Sequence, residues 1–336
     1  MKVMGRVQAV CAALGMLLLI LDSPTALNSA RDGMELCVTT VIPSLFPFFV
    51  LSSLLTGSLG GSFSPGWGRL LGLPQGCEGL FLTGILGGYP IGAAGIGEAV
   101  RQGRLNQEDG ARLLAFCNNP GPAFIFGMAA CMFDMPWAGW VLWAVQVTGA
   151  LAVALLLPGR PGATIKNAKA PGVSLPAALK GAVSAMAVVC GWVVLFRVVI
   201  GFLDRWILWI VPTEIRVILC GLLELTNGCC MLNEIQSQGQ RFIICSGLLS
   251  FGGLCVGMQT ASVAHGVSLR WYLPGKLLHC LISTGLAAAV QELFPGNAGM
   301  KLPPIILPGL LILAGILVFY RGKMKNRSGI SRPLGV

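Results

Sequence analysis

Gly79-Leu80-Phe81-Leu82-Thr83-Gly84-Ile85-Leu86-Gly87-Gly88-Tyr89-Pro90-Ile91-Gly92-Ala93-Ala94-Gly95-Ile96-Gly97 is uncharged from end to end, yet its centre cannot continue a regular helix. Pro90 removes a backbone donor and its ring clashes with the preceding turn, and the paired glycines add backbone freedom. A second segment, Val217 to Asn233, is apolar in the same way and carries Glu224-Leu225-Thr226-Asn227-Gly228 at its middle. Each segment is either a full membrane span or a re-entrant hairpin that enters and leaves on one side. That choice decides the fold.

The surroundings are those of a membrane protein. Of 336 residues 55% are hydrophobic and 11% charged, with a mean hydropathy of +0.78; a soluble domain carries about 25% charged residues. The 46 glycines and 20 prolines exclude a soluble helical bundle. The apolar runs are continuous, without the alternation of a β-barrel. The 12 cysteines are scattered through apolar stretches with no Cys-x-x-Cys spacing, and Cys229 and Cys230 are adjacent, so they read as small packing residues. Two histidines and no carboxylate cluster give no sign of a metal site or a cofactor. The net charge of +10 is read as an orientation signal for the bilayer, with no need for nucleic acid.

A spanning helix needs about 20 mostly apolar residues. Candidates are Val7 to Leu21, Leu36 to Thr56, Leu113 to Phe133, Pro136 to Leu157, Gly181 to Leu203, Phe242 to Val263, Leu273 to Gln291 and Pro303 to Tyr320. With the N-terminus inside and both odd segments as hairpins, 17 of the 23 Lys and Arg fall on the inner side, Arg112 and Lys276 among them. If both segments span, 12 do. The positive-inside rule therefore prefers hairpins, and broken backbone at membrane depth is tolerated only inside protein or beside a wet cavity.

The expected fold is an all-α polytopic membrane protein with inverted-topology repeats: about eight spans, two re-entrant hairpins and two interrupted helices. An N-terminal transmembrane helix occupies 1–24. The first repeat covers 36–157, with its hairpin at 79–97 and a broken span at 113–133. A basic cytoplasmic linker follows at 158–180. The second repeat covers 181–293, with its hairpin at 217–233 and a broken span at 242–263. A C-terminal span at 303–320 and a basic cytoplasmic tail at 321–336 complete the chain. Both termini lie in the cytoplasm, and the first helix is retained. The first broken span holds Cys117-Asn118-Asn119-Pro120-Gly121-Pro122; the second holds Ser250-Phe251-Gly252-Gly253 and then Gly257-Met258-Gln259-Thr260. Hairpin tips beside broken helices are where secondary transporters build substrate and ion sites. Close packing through small residues explains isolated glycines, but not Asn118, Asn119, Pro120 and Pro122 together.

Pro43-Ser44-Leu45-Phe46-Pro47-Phe48-Phe49, Gly87-Gly88-Tyr89-Pro90-Ile91-Gly92-Ala93 and Leu113 to Asn119 with Pro122 and Gly127 resemble the sporulation integral membrane protein family (YlbJ type). Glu224 to Gly228 and Ser250 to Gly253 with Gln259 continue the match, which runs from about Ser23 to Tyr320. These proteins carry the nucleoside recognition, or Gate, domain and are distantly similar in plan to concentrative nucleoside transporters. The resemblance implies a role in endospore formation: moving dipicolinic acid from the mother cell toward the forespore, in the mother-cell-derived outer forespore membrane. Related carriers often form homo-oligomers.

For a small aromatic dicarboxylate the candidate contacts are Gly87, Gly88 and Gly228, where backbone can approach closely, and Asn118, Asn119, Thr226, Asn227, Ser250 and Gln259, which offer neutral donors and acceptors. Tyr89 can stack on a ring or simply pack at the tip. Half-helix N-termini at the tips offer positive dipole ends. Arg197 and Glu224 read as the two intramembrane charges. Arg197 either contacts substrate, or it snorkels or pairs. Glu224 pairs with Arg197, takes a coupling proton or binds a cation such as sodium, because an unpaired carboxylate would repel an anion. A nucleoside or other small-metabolite carrier is the alternative within the class, and a non-transporting spore-envelope assembly or gate subunit is the alternative outside it. No nucleophile–base pair or phosphate loop suggests an enzyme.

Overall fold

The structure is a computed structural model and describes residues 2–58, 68, 71–73, 77–135, 137–157, 159 and 173–293. Trp67, most of the 158–180 linker, the 303–320 span and the 321–336 tail lie outside the described residues. The described chain is helical: α1 (Lys2–Leu21), α2 (Ser23–Leu36), α3 (Ile42–Ser58), α4 (Glu78–Gly87), α5 (Ile91–Arg101), α6 (Gln107–Cys117), α7 (Pro122–Gly127), α8 (Ala138–Leu156), α9 (Leu175–Trp206), α10 (Thr213–Leu223), α11 (Leu225–Met231), α12 (Gln238–Phe251), α13 (Gly253–Val263) and α14 (Tyr272–Leu293).

Five stretches among the described residues are long and apolar enough to cross a membrane: Ser23–Leu54, Ala138–Leu156, Leu175–Trp206, Gln238–Val263 and Tyr272–Leu293. The protein is an all-α integral membrane protein. The first of these stretches starts earlier than expected. Residues 25–35, placed by the expected topology between the N-terminal helix and the first repeat, form most of α2. The Asp22 carboxylate accepts from Thr25 N at 3.4 Å, and Pro24 sits in the first turn, where its missing N–H costs nothing. A π-turn over Cys37–Val41 then carries the chain past Pro43 into α3. Similarly, α9 begins at Leu175, inside what composition marks as linker, with Pro176 in its first turn. The helices α2 and α9 pack through small residues: Gly201 faces Ser29, and a β-carbon on Gly33 would lie 3.0 Å from Val194 Cα.

The segment expected to span from Leu113 to Phe133 is not one helix. It is α6, an extended stretch through Asn118, Asn119, Pro120 and Gly121, then the short α7 and a 3-10 turn over Ala129–Met132. Pro120 and Pro122 withdraw two donors in three residues, which ends the helical ladder. The later break is narrower. Gly252 and Gly253 take φ of +83° and +77°, values open to glycine. Gly257, Gln259 and Thr260 then stay within regular α13.

Both odd segments fold back on themselves. Gly88, at φ +74°, ends α4, and α5 returns beside it; a β-carbon on Gly92 would lie 2.9 Å from Gly84 Cα. In the second, α10 stops at extended Glu224 and α11 returns so closely that a β-carbon on Gly228 would overlap the Gly221 backbone. An arm such as α4 is about 15 Å long, half the hydrocarbon thickness of a bilayer. Tyr89 of one tip and Leu225 and Cys229 of the other lie in a single buried cluster with Phe124, Phe242 and Leu249. Cysteines behave as packing residues: all are free, and Cys77, Cys117, Cys220, Cys229, Cys245 and Cys255 are buried.

Candidate functional site

Each hairpin is seated on the break in the helix that follows it. The Cys117 carbonyl oxygen, at the end of α6, is wedged between Gly84 and Gly92; a β-carbon at either position would overlap it. One at Gly88 would lie 2.6 Å from Gly121 N. In the second unit, one at Gly253 would lie 2.9 Å from the Gly221 carbonyl oxygen and 3.4 Å from Leu225 N. Backbone thus touches backbone at both tips, and the polar groups released by the breaks are enclosed by protein.

At the first break Asn118 and Asn119 are buried. Asn118 Nδ2 donates to Thr260 Oγ1 at 2.7 Å, and Asn119 Nδ2 donates to the Phe116 carbonyl at 2.6 Å. The buried Tyr272 hydroxyl lies 3.4 Å from Thr260 Oγ1. Lys276, one turn into α14 and 1% exposed, reaches the same place. Its ammonium donates to the Asn118 carbonyl and, at 3.3 Å, to Asn119 Oδ1, and it lies 5.9 Å from the centre of the Tyr272 ring. Asn118 Oδ1 and the Tyr89 hydroxyl are buried without a hydrogen-bond partner among the described residues.

Lys276, one of the inner-side charges by sequence and not among the candidate contacts, is buried at this site. Its signal was a lone cation within the apolar run from Leu273 to Gln291. Arg112 is likewise buried and donates to four carbonyls: Gly72 at 3.0 Å, Leu71 at 2.9 Å, Ala154 at 2.8 Å and Leu157 at 3.3 Å. It is a structural tie between the segment before the first hairpin and the end of α8.

At the second tip Glu224 is 2% exposed and caps α11. Its Oε1 accepts from Thr226 N at 3.0 Å, and its Oε2 accepts from Asn227 N and Asn227 Nδ2, both at 2.7 Å. The expected pairing of Glu224 with Arg197 does not occur. Arg197 instead donates to Asp32 at 2.9 Å and lies 3.9 Å from Asp204, at the α2–α9 contact. The expectation that the second tip offers free N-terminal amides to an anion also needs correcting, because Glu224 occupies two of them.

Ser250 belongs to a further polar group. Its hydroxyl lies 3.0 Å from Gln146 Oε1 and donates to the Ser246 carbonyl at 2.7 Å. Gln146 Nε2 donates to the Ser246 carbonyl at 3.1 Å, and His279 Nε2 lies 3.0 Å from the Gln146 carbonyl. Gln259 Nε2 donates to Cys255 Sγ at 3.3 Å, and Gly87 packs on the Ile91 side chain. The structure therefore gathers Gly88, Asn118 and Asn119 with Thr260, Tyr272 and Lys276. Glu224, Thr226, Asn227 and Gly228 form a separate tip cluster, and Arg197 stands apart from both.

Membrane-length helices, two folded-back helix pairs and polar groups buried at helix breaks define the class: an all-α integral membrane protein with an enclosed polar interior. Within that class, the chain is 28% identical over 302 residues to the sporulation integral membrane protein YlbJ of Bacillus subtilis (strain 168), an alignment that covers 75% of this chain and 74% of that protein. No family model matches the chain. No solved structure matches it.

Proposed function

We propose that the protein is a secondary transporter of the sporulation membrane protein type that moves a small anionic metabolite, dipicolinate, by alternating access. The observation that carries this reading is the seating of each hairpin tip on a broken helix, with Asn118, Asn119 and Lys276 buried at one seat. Such a centre offers amide groups and a positive charge at the end of broken helices, the usual construction of a carrier's binding site. The order hairpin, broken helix, long helix occurs twice, which supports two repeats. On this reading the repeats are inverted, both termini are cytoplasmic, and the membrane is the outer forespore membrane. A proton or sodium ion supplies the coupling, copies of the chain associate in the bilayer, and no chemical step is catalysed.

Similarity to YlbJ supports the setting in spore formation, and the Gate-domain plan of concentrative nucleoside transporters supplies the mechanism by analogy of architecture. The test is uptake of labelled dipicolinate by the purified protein in liposomes, with uridine as competitor. Saturable uptake that uridine leaves unchanged supports the proposal. Uptake blocked by uridine assigns a nucleoside carrier, and binding without uptake assigns a gate or assembly subunit.

A further inference from the structure

Lys276 has no acidic partner among the described residues. Among the described residues no carboxylate lies within 4.0 Å of its ammonium; the ion pairs are those of Arg101, Arg197, Arg205, Arg216 and Arg270. An ammonium carries three donors, and its hydrogen bonds here go to the Asn118 carbonyl and Asn119 Oδ1. A charge taken out of water is costly unless it is paired and hydrogen-bonded. Glu224 cannot serve, since its oxygens are held by Thr226 and Asn227. Around Lys276, Asn118 and Asn119 come from the first break, Thr260 from α13, and Tyr272 from its own helix. Among the described residues the centre thus holds the Lys276 ammonium, neutral amides, the Thr260 and Tyr272 hydroxyls and a ring, and no carboxylate.

We infer that Lys276 is the fixed positive charge that receives a carboxylate of the transported solute, and so selects organic anions over neutral solutes at this site. The inference rests on the carrier reading above and assigns the charge selectivity of the same centre. The carboxylate accepts from the ammonium, and the face of Tyr272 borders the remaining part of the solute. Neutral ligands of the same shape leave the charge unpaired and bind more weakly.

The test compares binding of dipicolinate with that of its neutral isostere, pyridine-2,6-dicarboxamide, to the purified full chain in nanodiscs. Wild type is expected to favour the dicarboxylate. Lys276→Met is expected to weaken dipicolinate binding by about 30-fold or more, the scale for truncating one partner of a buried charge pair, while the diamide affinity changes little. Lys276→Arg, which keeps the charge, is expected to retain the preference for the dicarboxylate. Dipicolinate binding by Lys276→Met equal to that of wild type overturns the assignment. If Lys276→Met binds neither ligand, Lys276→Arg decides: retained dicarboxylate preference supports the assignment, and its loss overturns it. Wild type that binds neither compound overturns the carrier reading itself, a result distinct from an indifferent Lys276→Met.

Discussion

Asn118 and Thr260 are 142 positions apart and joined by a 2.7 Å hydrogen bond, from the amide of the first helix break to a hydroxyl on α13. Thr260 donates in turn to the Val256 carbonyl at 2.8 Å. The bond therefore fixes the break of the first unit against the broken helix of the second. Asn118→Ala removes this tie and leaves the buried Thr260 hydroxyl with only the more distant Tyr272 hydroxyl beside it, a cost of about 1–3 kcal/mol. The expected result is loss of uptake with normal membrane insertion, checked by liposome transport and surface-labelled expression. Thr260→Val should reproduce most of the loss, because the shape is kept and the acceptor is gone.

Gly84→Ala and Gly92→Ala should each unseat the first hairpin, since either methyl overlaps the Cys117 carbonyl. Overpacking of this kind costs about 1–3 kcal/mol. Gly95→Ala is the control: its β-carbon would meet only Leu80 Cδ2 at 3.4 Å, ordinary contact. Thermal unfolding followed by size-exclusion chromatography should lower the midpoint for Gly84→Ala and Gly92→Ala and leave Gly95→Ala near wild type.

Glu224→Ala strips the cap from α11 and exposes the Thr226 and Asn227 amides to an apolar interior. Loss of a helix cap costs about 0.5–2 kcal/mol. Glu224→Gln keeps one acceptor oxygen but sets its amide against the Asn227 donors, so it should fall between Glu224→Ala and wild type. Asn227→Ala, which loses only the side-chain bond, should be the mildest in thermal stability. The order of the three midpoints is the measurement.

Arg197→Ala should leave uptake close to wild type. Its guanidinium is held by Asp32 at the α2–α9 contact, apart from the centre formed by Asn118, Asn119 and Lys276. Transport falling with unchanged protein yield would return Arg197 to the substrate path.

Breaks and tips were legible because they are written in local chemistry. Gly87-Gly88-Tyr89-Pro90 and Asn118-Asn119-Pro120-Gly121-Pro122 withdraw donors whatever surrounds them, and the turn of the backbone follows from the residues alone. Partnerships were not legible in the same way. Glu224 and Arg197 looked like a pair because each was a charge in an apolar run, yet nearby Thr226 and Asn227 satisfy Glu224 at far lower entropic cost. Lys276 was lost through its place three residues after a span boundary, where a cation usually faces water. Arg31, Asp32 and Glu35 hid a helix because charges imply a loop only when nothing caps the segment, and Asp22 and Pro24 do cap it. Gln146 and His279 carried no signal beyond being polar among apolar neighbours.

The Arg112 guanidinium sets an order of events in biosynthesis. Its four carbonyls come from Leu71 and Gly72, before the first hairpin, and from Ala154 and Leu157, at the end of α8. Two of its four acceptors, the Ala154 and Leu157 carbonyls, are therefore absent until the chain has been made through Leu157. The set of contacts around Arg112 is thus complete only once α8 is in place.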